Sequence, residues 1–211
     1  MYLMFLMSVI GMISLIPFYF WSVEHIKLQE RYGQKKGIKI AKIWGLVSGW
    51  GFFIFLFGIW ISAQPKFEIP LFQYNLNIIG YAVPLFHLII AIPIISVGAW
   101  FGIVGVKEVT LKVAETHRPN KVISTGVYSR IRHPQYFGAI LSHIGISFLL
   151  SSFYSIITTP LIIGVIWIFS WKEEKELTRE FGKEYEDYKL ETPMLIPRIR
   201  SKKTEKDFKN N

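Results

Sequence analysis

Apolar residues in this chain are gathered into long uncharged blocks rather than interleaved with charges. No Asp, Glu, Lys or Arg occurs in residues 1–23, 43–65, 69–106 or 133–171. A soluble domain mixes apolar and polar positions along each element, whereas a membrane helix needs about 20 apolar residues to cross ~30 Å of hydrocarbon. The first two blocks predict one helix each. The third opens on Gln73-Tyr74-Asn75-Leu76-Asn77, which suits an external loop, so its helix is expected over about 78–104. The fourth carries Ser151 and Ser152 near its middle, between two apolar runs, and predicts two helices joined by a tight turn. The pattern predicts an all-α membrane protein with five transmembrane helices, the last two forming a helical hairpin.

Charge adds an orientation to this picture. Of the 24 Lys and Arg, 23 fall after the first, third and fifth expected helices, and Lys66 alone lies between the second and third. The positive-inside rule makes the basic side cytoplasmic, with the N-terminus outside and the C-terminus cytoplasmic, in an integral multi-pass protein. The net charge of +9 therefore reads as membrane orientation and attraction to anionic lipid. It does not read as a nucleic-acid patch, for which no motif is present. The first block has no basic n-region and no small-x-small cleavage site, and reads as a retained span. With no cysteine, a disulfide, a thiolate metal site and a cysteine nucleophile are excluded, and no metal is expected.

Three regions follow. Residues 1–105 form a three-helix membrane region whose basic loop, 24–42, suits an amphipathic helix on the membrane surface. Residues 106–199 hold the candidate chemistry. Residues 200–211 are charged and polar, and are expected to be disordered. Gly45 with Gly49 and Gly98 with Gly102 have the GxxxG spacing of closely approaching helices. Pro84 and Pro93 are expected to kink the third helix or to sit near its outer end, and His87 between them reads as a hydrogen-bonded packing residue.

The informative stretch runs from Ser124 to Gly138 and includes Gly126-Val127-Tyr128 and Arg130-Ile131-Arg132-His133-Pro134-Gln135-Tyr136. Thr125-Gly126 signals a turn. His133, the residue before a proline, is pushed out of helical geometry, so Pro134 opens the next helix at its first position. Such a helix start, with unpaired N–H groups, suits a carboxylate; equally, Arg130 and Arg132 suit a basic anchor reaching lipid phosphates. A second cluster, Lys172-Glu173-Glu174-Lys175-Glu176, follows the last span. In a hairpin, Glu173 and Glu174 return to the same face as the Arg-His-Pro turn and form a polar pocket with it. On an isolated helix they would be solvated surface with partners such as Lys172–Glu176.

These residues resemble those of the isoprenylcysteine carboxyl methyltransferase and phospholipid methyltransferase superfamily. The likeness covers roughly residues 118–198 and rests on Gly126, Tyr128, Arg132, His133, Pro134, Tyr136, Gly138, Glu173, Glu174, Phe181, Gly182, Tyr185 and Tyr188. It implies an S-adenosyl-L-methionine pocket sealed by the hairpin and by a cytoplasmic C-terminal tail. The cofactor-binding residues it implies are Asn120, Lys121, Val122, Ile123, Tyr128, His133, Pro134, Gln135, Tyr136, Glu173 and Glu174, with His133 a candidate base. A lipophilic methyl acceptor would enter sideways from the bilayer. Two departures stand out. Where the carboxyl methyltransferases carry a substrate-binding arginine, this chain has Phe169, and Val113 replaces a polar cofactor contact. Binding a carboxylate in the membrane without a cation is costly, so Phe169 turns the expectation toward a neutral or cationic acceptor. Two other functions remain compatible with the pattern: a membrane NADPH-dependent reductase of the sterol-reductase kind, and a non-enzymatic transport or assembly protein.

Overall fold

The structure is a computed structural model and describes residues 2–70, 74–78, 80–109 and 121–197. Helix α1 (Leu3–Val23) runs into a short helix α2 (His25–Tyr32), followed by α3 (Gln34–Ile61). A two-stranded antiparallel hairpin, β1 (Asn75–Ile78) and β2 (Tyr81–Pro84), leads into α4 (Leu85–Val109). A 3-10 turn (Gly126–Ser129) precedes α5 (Pro134–Leu149), α6 (Phe153–Ile157), α7 (Thr159–Phe181) and α8 (Lys183–Glu191). The tail at 200–211, expected to be disordered, lies outside the described residues.

Helices α1, α3 and α4 are long and apolar enough to cross a membrane, which makes this an integral membrane protein. Against the five helices expected, three among the described residues have this length and composition. Helix α5, at 16 residues, extends about 24 Å at 1.5 Å per residue, less than the hydrocarbon thickness. Helix α7 is uncharged only over 159–171 and charged beyond it. The two helices do form the expected hairpin, but the turn between them is longer than the Ser151-Ser152 pair. Ser151 takes a left-handed φ of 51°, and α6 follows before α7 begins. Residues 65–67 brace this turn: Phe67 N–H donates to Ser151 O at 3.0 Å and Phe153 N–H to Pro65 O at 3.0 Å.

Three further expectations are corrected. The 24–42 loop is not one surface helix. Gly33, at φ 81°, separates α2 from α3, and the residues from Gln34 onward continue without a break into the span. The stretch around residues 75–78 pairs as a strand rather than looping, because Asn75–Ile78 finds Tyr81–Pro84 in register. The third long helix accordingly starts at Leu85, not near residue 78, and runs on to Val109; Pro84 ends β2 and only Pro93 lies inside the helix.

Close packing of α4 on α5 aims the site residues. A Cβ on Gly98 would lie 2.8 Å from both Gly138 O and Ser142 N, and one on Gly138 would lie 2.8 Å from Gly102 N. The GxxxG pair of α4 thus meets Gly138 of the motif backbone to backbone. Gly49 of α3, by contrast, faces open space. His87 is fully buried, with Nδ1 2.8 Å from Ser151 Oγ, a packing residue tied to the hairpin turn. Residues Met12, Leu15, Tyr19, Phe52, Leu56, Ile140, Ile162, Ile166 and Phe169 form the main core between α1, α3, α5 and α7.

Candidate active site

The local sequence builds the site from a turn upward. Gly126 sits at φ 58°, a region that favours glycine. An added Cβ there would collide with the Glu108 carboxylate. That carboxylate accepts the Val127 N–H at 3.0 Å with each oxygen, pinning the 3-10 turn to the end of α4. Tyr128 then points back, its hydroxyl 3.3 Å from Gly105 O and 3.3 Å from Gln135 Nε2. His133 takes a non-helical φ of −122° and Pro134 opens α5, as the pre-proline constraint demands.

Hairpin geometry returns α7 to this turn. Glu174 receives Arg132 in a bidentate pair, Nε to Oε1 at 2.6 Å and Nη2 to Oε2 at 3.0 Å. Both side chains are more than nine-tenths buried. Arg132 Nη1 also donates to Lys189 O at 2.8 Å and to Thr192 O. The backbone adds Arg132 N–H to Pro193 O at 2.9 Å and His133 N–H to Met194 O at 3.1 Å. The segment after α8 is therefore strapped across the Arg-His turn, and Tyr188 Oη donates to Tyr128 O at 2.6 Å. Burial pushes the Glu174 carboxyl up, but the hydrogen bonds and charges of His133 and Arg132 outweigh it and hold the group below its usual range. Burial raises the Tyr128, Tyr185 and Tyr188 phenols, which stay neutral.

Glu173, the neighbour of Glu174, points elsewhere. Its Oε2 is 3.0 Å from Tyr136 Oη and 3.0 Å from Tyr19 Oη, and the two phenols are 2.7 Å apart. His133 lies between the two acids: Nε2 is 3.2 Å from Glu174 Oε1 and Nδ1 is 3.8 Å from Glu173 Oε2. Its ring stacks on Tyr136 at 5.3 Å. Both imidazole nitrogens thus face carboxylates, an arrangement that orients the ring.

One cleft opens over this arrangement. It is lined by Val109, Lys121, Val122, Ile123, Tyr128, Arg132, His133, Pro134, Gln135, Tyr136 and Glu173, and closed on the other side by Leu177, Phe181, Tyr185 and Tyr188. Of the residues expected from the sequence, Lys121, Val122, Ile123, Tyr128, His133, Pro134, Gln135, Tyr136 and Glu173 are brought to its wall. Asn120 and Val113 lie outside the described residues. Glu174 is drawn away from the cleft into the Arg132 pair, which also removes Arg132 from the role of a lipid anchor. Phe169 does not line the cleft. It is buried beneath it, its ring stacked on Tyr19 at 4.0 Å and 9°, between the cleft floor and the apolar core.

Sequence reasoning missed Tyr19 and Glu108. A tyrosine in an apolar N-terminal helix reads as ordinary packing, and nothing near it in sequence signals an acid 154 residues away. Glu108 had a faint signal in the Thr-Gly turn, which needed a partner for its N–H groups.

The residues 76–184, just over half the chain, match the family model for phospholipid methyltransferase. The chain belongs to the phospholipid methyltransferase family. Two curated proteins are similar to it. A "Protein-S-isoprenylcysteine O-methyltransferase" of Schizosaccharomyces pombe is 33% identical over 90 residues, covering 41% of this chain and 37% of the relative. A "Methanethiol S-methyltransferase" of Crocosphaera subtropica is 32% identical over 105 residues, covering 48% of this chain and 40% of the relative. The matched stretch thus spans about two-fifths of the length of these relatives.

Proposed function

We propose that this protein is a membrane methyltransferase that uses S-adenosyl-L-methionine and acts on a lipophilic, uncharged nucleophile, with a thiol favoured. The reading rests on one observation: residues of the Gly-x-Tyr and Arg-His-Pro-x-Tyr segments and Glu173 line a single cleft beside apolar helices. In membrane orientation the cleft would face the cytoplasm, with the N-terminus outside and the α5–α7 hairpin completing a five-helix membrane body by re-entering from the cytoplasmic side.

The chemistry of the lining suits the cofactor. Its donor set offers the N-terminus of α5 at Pro134 for a carboxylate, the faces of Tyr128, Phe181, Tyr185 and Tyr188 for a planar base, and Glu173 for a positive group. Lys121, Val122 and Ile123 would supply the edge of the same site, together with Asn120. The bound cofactor would supply an activated methyl group on a positively charged sulfur. The chain's own part is to position and to exclude water, the main sources of rate in an in-line displacement. The Arg132–Glu174 pair fixes the turn, the strap over it holds His133, and the aromatic wall keeps the site dry.

The acceptor follows from charge. Glu173 places a carboxylate at the floor, Phe169 and its neighbours supply no cation, and Lys172 is turned away to Glu24 and to Glu176 at 3.0 Å. A carboxylate acceptor at this floor would meet the Glu173 charge with no cation of α7 to pair with it, since Arg132 of the lining is already held by Glu174 and Lys121 belongs to the edge of the site. A thiol fits this floor, and the similarity to a protein named for methanethiol methylation favours it over the prenyl-cysteine carboxylate. Purified protein in lipid, given S-adenosylmethionine with labelled methyl, is expected to label an alkanethiol and not a prenyl-cysteine carboxylate. Label on the carboxylate alone would refute the acceptor assignment, and consumption of NADPH without methyl transfer would favour a reductase.

A further inference from the structure

Three oxygens from three helices meet at the floor of the cleft: Tyr19 Oη of α1, Tyr136 Oη of α5 and Glu173 Oε2 of α7. Their separations of 2.7, 3.0 and 3.0 Å are all hydrogen-bond distances, and each such bond needs one hydrogen between its two oxygens. The two phenols supply one hydrogen each. An ionised Glu173 supplies none, so the ring of three contacts is then one hydrogen short. A proton on Glu173 Oε2 completes it. Two of the three members, Tyr136 and Glu173, also line the cleft, so the incomplete ring is open to a proton arriving from a bound molecule.

We infer that Glu173 receives the proton released by a protic methyl acceptor, with Tyr19 as the positioning residue that closes the ring around it. The inference rests on reading the cleft as a methyl-transfer site. In balanced form, the bond between methyl and a sulfonium donor breaks and the acceptor's sulfur–methyl bond forms, leaving a neutral thioether. The acceptor's S–H proton passes to Tyr136 Oη as the Tyr136 proton passes to Glu173 Oε2. A positive donor and a negative carboxylate become two neutral groups, so the apolar surroundings of the ring favour the product side. Tyr19 is held for this task by its stacking on Phe169.

Among the described residues, few groups face Glu173. They are Tyr19 of α1, His133 and Tyr136 at the start of α5, Tyr128 of the 3-10 turn and Tyr185 of α8, with the Arg132–Glu174 pair beside it. His133 is the other group in reach, and its two nitrogens are directed at Glu174 and Glu173.

Infrared pH-difference spectra of the purified protein, with no ligand added, read the ring without turnover. A carboxylic C=O band is expected that vanishes in Glu173→Gln and shifts in Tyr19→Phe; a Tyr19→Phe spectrum identical to wild type overturns the inference. Kinetics give the second arm, using octanethiol, un-ionised at neutral pH, and 4-nitrothiophenol, which is ionised there. Glu173→Gln is expected to lower kcat on octanethiol by about 100-fold or more, in the range of general-base removal, and far less on 4-nitrothiophenol. Tyr19→Phe is expected to cost about tenfold on octanethiol alone, one hydrogen bond's worth, with S-adenosylhomocysteine affinity unchanged. Equal losses on both thiols overturn the inference. If the wild-type protein binds no S-adenosylhomocysteine, the methyltransferase reading fails instead, and the infrared result still decides the ring.

Discussion

Helix α5 begins and ends in buried polar groups, and its two ends are built differently. At the far end, His143 accepts from Trp60 Nε1 at 3.0 Å and donates to Ser155 O at 3.1 Å. Ser147 bonds both His143 O and Ser155 Oγ at 2.7 Å, and Ser155 N–H reaches Gln64 Oε1 at 2.8 Å. This network is neutral, both nitrogens of its histidine are used, and none of its members lines the cleft of the near end. At the near end, His133 stands between two carboxylates, an arginine is clamped, and one acid, Glu173, lines the cleft. Buried polarity alone therefore does not mark a site. The far end joins helices where the lipid offers no partners, whereas the near end holds charge next to an opening.

Breaking the Arg132–Glu174 pair is expected to have the largest effect. Arg132→Ala leaves Glu174 buried without its cation and releases the strap at Thr192, at a cost of about 3–5 kcal/mol. A thermal scan of the purified protein should register it as a strong fall in the unfolding midpoint. At the other end, His143→Ala leaves Trp60 N–H and Ser155 O without their partner, at about 1–3 kcal/mol. Here the midpoint should fall while S-adenosylhomocysteine affinity holds; a loss of affinity would blur the distinction between the ends. Gly126→Ala forces a Cβ against Glu108 and strains a left-handed residue, an expected cost of roughly 1–3 kcal/mol, and it should weaken S-adenosylhomocysteine binding through the displaced turn.

The smallest effect concerns pH. Because the folded state holds the Glu174 carboxyl below its usual range, its stabilisation is fully present above the unfolded value, about 4.3, and is lost as pH falls through the folded one. The difference in unfolding midpoint between wild type and Glu174→Gln should stay level from pH 8 to about 5 and close below about 4. A gap that closes near neutral pH would contradict the paired geometry.

Much of the near end was legible in the sequence, because its residues lie in two short runs whose spacing a hairpin must bring together. Gly126, His133, Pro134 and Glu173 could be named from turn chemistry, the proline rule and charge at a helix exit, whereas Tyr128, Gln135 and Tyr136 were named through the resemblance to the methyltransferase superfamily. The division of labour between adjacent acids could not. Glu173 and Glu174 are alike in sequence, and only the rotation of α7 sends one to Arg132 and the other to the tyrosines. Tyr19 was invisible for a related reason: its partner is contributed by a distant helix, and its own surroundings are uniformly apolar. Of the five spans expected from the uncharged blocks, three stand as helices long and apolar enough to cross a membrane among the described residues. The block at 133–171 is long enough for two spans, but its serine-rich middle is spent on a turn and on α6, which leaves α5 short. The polar stretch before α4 misled in the opposite direction, since Asn75–Ile78 and Tyr81–Pro84 find each other as strands across a glycine at φ 80°.

Calorimetric titration of S-adenosylhomocysteine into the purified protein in lipid tests the central claim most directly, with wild type, His143→Ala and a Tyr128→Ala variant measured side by side. Saturable binding at one site per chain, kept in His143→Ala and lost in Tyr128→Ala, is the predicted result. No binding by the wild type, or equal loss in both variants, would contradict the assignment of the near-end cleft as the cofactor site.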